Sequence, residues 1–146
     1  EAMVKVKRVV TLDAVVGGFR RGQRGGPPAS LLLGLHGPDG RLHHMGHVTL
    51  APRQRERFAG LLEPLAAPGA QGFTGEAPGW PSRWARGRST EWIPVRPELV
   101  VEVAYRHVAG GRLRHGARLL RLRPDKAPEQ CLLRDLPGGD ARIDPG

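Results

Sequence analysis

Cations dominate the residues of this chain that could do chemistry, and four groups of them stand out as candidates. Near the start, Lys5 and Lys7 alternate with Val4 and Val6. A strand there would set both ammonium groups on one face, about 6.7 Å apart along the backbone. Near the end, Arg121 and Arg123 are expected on the strand face opposite Leu120 and Leu122, and Pro124, Asp125 and Lys126 follow. Arg20, Arg21 and Arg24 stand in a run closed by Gly25-Gly26-Pro27-Pro28, and Arg83, Arg86 and Arg88 lie in a stretch that also holds Trp80, Trp84 and Trp92. Lys and Arg total 23 against 14 Asp and Glu, a net charge of +9, and an excess of that size attracts polyanions over a Debye length. Nucleic acid is the first partner to consider. An arginine-rich composition inherited from a GC-rich genome would raise the same count without making a site.

Other chemistries find less support. His36, His43, His44 and His47 invite a metal reading, and a regular strand would place His43 and His47 on one face. With no cysteine or carboxylate beside them to complete a tetrahedral set, polar strand positions are the plainer account. Cys131 is the only cysteine of the chain, so an intramolecular disulfide and a Cys-based zinc site are excluded. No Ser-His-Asp or Cys-His nucleophile is apparent. No apolar run reaches the roughly 20 residues that span a bilayer, and a signal peptide's charged and apolar regions are missing. A soluble, cytoplasmic, monomeric protein with no membrane partner is the expectation. The start at Glu1-Ala2-Met3 reads as a cut end, with something expected before it.

The elements that must position these cations are mostly strands. Val9 to Phe19 is apolar with Gly17 and Gly18 near its end, and the basic Gly/Pro segment after it reads as an exposed loop. Ser30 to His36 and Arg41 to Thr49 flank Gly37-Pro38-Asp39-Gly40 and predict a hairpin. After Pro52, Phe58, Leu61, Leu62 and Leu65 recur at helical spacing, with Pro64 ending or kinking the helix. Residues 66–94 are irregular and carry all three tryptophans, more as anchors of a long loop than as stacking platforms. Leu99, Val101, Val103 and Tyr105 share one strand face with Glu102 and Arg106 on the other, and a turn at Gly110-Gly111 leads to the last strand. The tail from Ala127 is polar and expected to fray, apart from a short turn near Leu132 to Leu136. About five strands with one helix after the third match an OB-fold barrel, though an SH3-like barrel would give a similar order.

Lys5-Val6-Lys7 and Arg123-Pro124-Asp125-Lys126 resemble the fifth and sixth motifs of covalent nucleotidyltransferases, specifically ATP-dependent DNA ligases. Val15-Val16-Gly17-Gly18-Phe19, Ser30 to Leu35 and Arg96-Pro97-Glu98-Leu99-Val100-Val101-Glu102-Val103 are similar to the C-terminal region of bacterial, especially actinobacterial, repair ligases. The resemblance runs from about Val4 to Leu136. Each motif alone is weak; their order and separation make the match. It implies an all-β, five-stranded OB-fold barrel with a capping helix and a long Trp-bearing loop. Residues 1–8 would be the last strand of a nucleotidyltransferase domain, 9–126 the OB domain and 127–146 a tail, with a hinge between Arg8 and Asp13. Lys5 and Lys7 would meet the α-phosphate of ATP. Arg123 and Lys126 would orient the β- and γ-phosphates, with Arg121 a weaker candidate and Asp125 holding the neighbouring cations. ATP and Mg²⁺ follow as cofactors, and nicked duplex DNA as substrate, clamped through Arg20, Arg21, Arg24, Arg83, Arg86 and Arg88 during repair or recombination. The nucleophilic lysine of the family's K-x-D-G motif is absent from these 146 residues, so the chain alone is expected to be inactive. A non-catalytic OB module that binds nucleic acid is the alternative, and a domain that binds an acidic protein partner is a third reading.

Overall fold

The computed structural model describes residues 10–22, 26–66, 69–70, 72–75, 92–105, 108–109, 112–113 and 117–135. Lys5, Lys7, Arg24, Trp80, Arg83, Trp84, Arg86, Arg88 and Arg106 lie outside the described residues.

The first strand, β1 (Val10–Arg21), is the axis of the fold. It pairs antiparallel with β2 (Pro28–His36), which pairs in turn with β3 (Leu42–Thr49). Helix α1 (Pro52–Leu62) follows, then the short β4 (Ile93–Pro94) and β5 (Val100–Tyr105). A two-stranded hairpin of β6 (Val108–Ala109) and β7 (Arg112–Leu113) leads to β8 (Arg118–Leu122). The main sheet runs β3-β2-β1-β5-β8, with β4 also on β1. This is the OB-fold expected, five long strands with the helix after the third.

A bulge lets β1 serve two neighbours along one edge. The register passes from Val16↔Leu33 to Gly18↔Leu32, leaving Gly17 as the extra residue, and β1 changes partner from β5 (Val10 to Val15) to β4 (Gly18, Phe19). The bend needs glycine for a second reason. A Cβ at Gly18 would lie 2.5 Å from the Trp92 ring and 2.8 Å from the Ile93 carbonyl oxygen. Phe73 fills the notch over Gly17 and Gly34, with its ring 5.6 Å from that of Trp92. Thr74 Oγ1 accepts from the Leu42 amide at 2.8 Å, and the Thr74 and Gly75 amides donate to the Leu42 carbonyl. Phe73 and Trp92 thus fasten both described ends of the loop to the barrel. Gly18→Ala should lower stability by about 1–3 kcal/mol, because one obstacle is backbone and cannot rotate away. Gly60→Ala, on the exposed side of α1 with nothing within 4 Å of the added carbon, should raise it by about 0.5–1 kcal/mol. Urea midpoints of the two variants measure both, and equal shifts would refute the close-approach account.

Helix α1 plugs the barrel as its spacing predicts: Phe58 and Leu62 are fully buried, with Leu61 and Leu65 packed against the core. The Gln54 side chain accepts from the Ala51 amide at the start. Pro64, which has no amide to donate, falls in the 3₁₀ turn Glu63–Leu65 that ends it.

Three expectations need correction. The β5–β8 register steps from Glu102↔Arg121 to Val103↔Leu119, so Leu120 is a bulge residue. Leu119 and Leu122, not Leu120 and Leu122, pack against the core, and Leu120 is left 42% exposed. A second bulge at Met45, between Gly34↔His44 and Leu33↔Gly46, puts His43 and His47 on opposite faces. His43 is buried against the carboxylate of Asp39, at 3.0 Å. Desolvation works against that carboxylate, yet the Arg41 amide and His43 hold it below its ordinary pKa. Finally, residues 127–132 do not fray, while the short turn expected near Leu132 to Leu136 is present at Leu133–Asp135. Pro128–Gln130 and Leu133–Asp135 form 3₁₀ turns, the His36 amide donates to the Cys131 carbonyl at 2.8 Å, and Leu132 bridges to His36. Cys131 and Leu133 join the core.

Burial, with Asp13 adding to it, pushes the Cys131 thiol up to about 11, which leaves about a thousandth of it as thiolate at pH 8. Native protein should therefore react with a thiol reagent at least about 100-fold more slowly than urea-unfolded protein. Equal rates would mean that the C-terminal strap opens freely.

Candidate functional site

The end of β8 brings Arg121, Arg123, Asp125 and Lys126 together, and does so through two carboxylates that lie far away in sequence. On the outer face of the sheet, Asp13 of β1 is opposite Glu102 of β5, and Glu102 opposite Arg121 of β8. Arg121 Nε donates to Glu102 Oε1 at 2.7 Å. That bond is the largest cause holding Glu102 below the usual carboxylate range, against a smaller opposing effect of burial.

Arg123 leaves the strand where its amide donates to the Val100 carbonyl at 2.8 Å. Its guanidinium is gripped from two sides. Nη1 donates to both Asp13 oxygens at 3.1 and 3.3 Å, while Nε and Nη2 donate to Asp125 at 3.3 and 3.4 Å. Lys126 Nζ lies 3.7 Å from Asp13 Oδ2. The bond to Asp125, opposed by burial and aided by the charge of Asp13, raises the Arg123 pKa above its already high value. The same bond lowers that of Asp125. The attractions of Glu102 and Asp125 are complete above the ordinary carboxylate range near pH 4 and fade as acid protonates those two groups through their lowered values.

Three cations thus face three carboxylates, yet the six groups are not equally placed. Asp13 is 18% exposed and belongs to a paired strand, whereas Asp125 is 72% exposed on its own turn. An incoming polyanion can replace Asp125 on the guanidinium with little desolvation, and Arg123 and Lys126 remain partly open to solvent at 21% and 29%. The donor set suits phosphate: a planar fork beside a compact ammonium. All three carboxylates are engaged with cations, and among the described residues no group of three or more His, Cys, Asp or Glu is arranged to hold a metal ion.

Arg20 and Arg21, expected on the exposed basic loop, are instead the last residues of β1, paired with Ser30 and Pro28 of β2. Arg21 stacks over the Phe19 ring, donates to the Gly26 carbonyl at 3.2 Å and pairs with Glu63 at 3.2 Å, tying the end of β1 to the end of α1. Arg20 is half-buried, its Nε without a partner among the described residues. The segment from Val10 to Asp13, part of the expected hinge, is hydrogen-bonded strand. Asp13 is the member of the cluster that sequence reasoning misses. Its signal was a lone carboxylate inside the apolar run Val9 to Phe19.

This cluster stands at the end of a recognised region. A family model described as the ATP dependent DNA ligase C terminal region matches residues 24–126, closing at Lys126. The chain belongs to the ATP-dependent DNA ligases. DNA ligase C1 of Mycolicibacterium smegmatis is 38% identical to this ligase chain over 135 residues, covering 88% of it and 37% of the relative. DNA ligase C of Mycobacterium tuberculosis is 36% identical, over 88% of this chain and 39% of its own length. Among solved structures, the ligase domain of M. tuberculosis LigD superposes with a TM-score of 0.68 at 35% identity, covering 85% of this ligase chain and 38% of that one. A mycobacterial DNA ligase D complexed with ATP and MES gives 0.65 at 34% identity, over 86% and 38%. The chain spans well under half the length of these relatives.

Proposed function

We propose that this chain is the OB-fold part of a ligase that seals nicks in duplex DNA during repair or recombination, and that its cation cluster orients the phosphates of ATP. The observation that supports this most is the convergence of Arg123 and Lys126 on Asp13, at the end of the region matched by the family. In transfer of an adenylyl group the protein chiefly positions the phosphates and neutralises their charge. Arg123 would hold the β- and γ-phosphates bidentately, so that pyrophosphate departs in line, and Lys126 would add a point charge beside it. Arg121, tied to Glu102, would act at the edge. The Mg²⁺ that the resemblance implies would supply charge neutralisation at the phosphates, and the local carboxylates, already engaged with cations, would not be its ligands. Lys5 and Lys7 would face the α-phosphate from the neighbouring domain, which must also supply the lysine nucleophile.

In the same reading, Arg20, Arg21, Arg24, Arg83, Arg86 and Arg88 contact DNA phosphates, giving affinity that falls steeply with salt. The protein would work as a monomer in the cytoplasm; no helix among the described residues is long and apolar enough to cross a membrane.

The deciding experiment mixes this chain with a separately produced nucleotidyltransferase domain of a related ligase and follows lysyl-AMP formation from labelled ATP. Acceleration by the chain is expected. Its failure, alongside salt-sensitive binding of the chain to duplex DNA, would favour an OB module that binds nucleic acid without chemistry.

A further inference from the structure

The two carboxylates on Arg123 do different work. Asp125 lies two residues away in the same turn, so its bonds to Nε and Nη2 shape the turn internally and cannot fix it relative to the barrel. Asp13 lies 110 positions away. It is flanked by buried Leu12 and Ala14 and sits opposite Glu102 in the β1–β5 ladder, so its place is set by the core. It also reaches both cations of the turn, Nη1 of Arg123 at 3.1 Å and Nζ of Lys126 at 3.7 Å. Two like charges aimed at one anion repel each other, and a carboxylate between them offsets the repulsion while fixing their spacing.

We propose that Asp13 is the positioning residue that holds Arg123 and Lys126 as a pair set for a polyphosphate. This rests on the phosphate-orienting reading above. Charge alone predicts the opposite of positioning: removing any nearby carboxylate should strengthen attraction for an anion. If Asp13 positions the pair, its loss weakens binding although the net charge becomes more positive.

Two substitutions with the same change of charge separate these accounts. The chain is titrated with inorganic tripolyphosphate and followed by the amide resonances of Arg123, Asp125 and Lys126. Glu98→Gln, which removes the same charge from an exposed carboxylate paired with Arg96 outside the cluster, should bind as tightly as the wild type or up to about 3-fold more tightly. Asp13→Asn should bind at least about 5-fold more weakly. Asp13→Glu, which keeps the carboxylate, should recover part of the loss. Equal tightening by Glu98→Gln and Asp13→Asn would overturn the proposal and make Asp13 a mere counter-ion. If Asp13→Asn fails to fold, Asp13→Glu decides: an affinity changed in parallel with a shifted Arg123 resonance supports positioning, and an unchanged affinity despite that shift overturns it. A different result dismisses the wider reading: no binding by the wild type, or binding untouched by Arg123→Ala, removes the phosphate site itself.

Discussion

Arg123→Ala should abolish most of the acceleration that this chain gives to lysyl-AMP formation, by about 100-fold or more. The Arg123 guanidinium presents its donors in a fixed fork, and unlike that of Arg121 it is held on both sides, by Asp13 and by Asp125. Its donors are therefore already aimed before a nucleotide arrives, and little reorganisation is needed when charge develops on the leaving pyrophosphate. Arg123→Lys keeps the charge without the fork and should recover only a small part of the rate. Arg121→Ala should cost far less, since that side chain is 63% exposed and bound to Glu102 alone among the described residues. Single-turnover adenylylation with labelled ATP reads all three. Full acceleration by Arg123→Ala would remove the residue from the chemistry.

The second large effect concerns stability. Phe58→Ala should cost about 3–5 kcal/mol, since a fully buried aromatic ring leaves both lost transfer energy and a cavity. Phe58 and Leu62 form the buried stripe by which α1 enters the barrel, with Leu61 packed beside them. A domain of this size has about 5–15 kcal/mol in all, so the variant should unfold at a much lower urea concentration with an unchanged slope. A loss below about 1 kcal/mol would show that the ring is not the plug.

Much of the barrel could be read from the residues because local chemistry and global pattern agree. Gly37-Pro38-Asp39-Gly40 makes its turn with Gly40 at φ 77°, and the strands on either side pair in the antiparallel register of a hairpin. The failures share a cause. A bulge such as Leu120 or Met45 is decided by the neighbouring strand, so a period of two counted along one strand passes straight over it. Arg121 and Arg123 were legible as a basic pair, but Asp13 was hidden by distance: nothing near it in sequence announces a partner 110 residues on. The polar composition after Ala127 concealed the strap, because two side chains, Cys131 and Leu133, suffice to seat it.

That strap changes how the motif turn is supported. With residues 127–135 clasped to β2 through His36 and Cys131, the segment Arg123 to Lys126 is a bridge with an abutment at each end, β8 on one side and the clasp on the other. Cut after Lys126, where the family match stops, it would become a cantilever fixed only at β8. The family match ends at Lys126 while the packing of the barrel continues at least to Asp135, and the added strap gives the motif turn a second point of attachment.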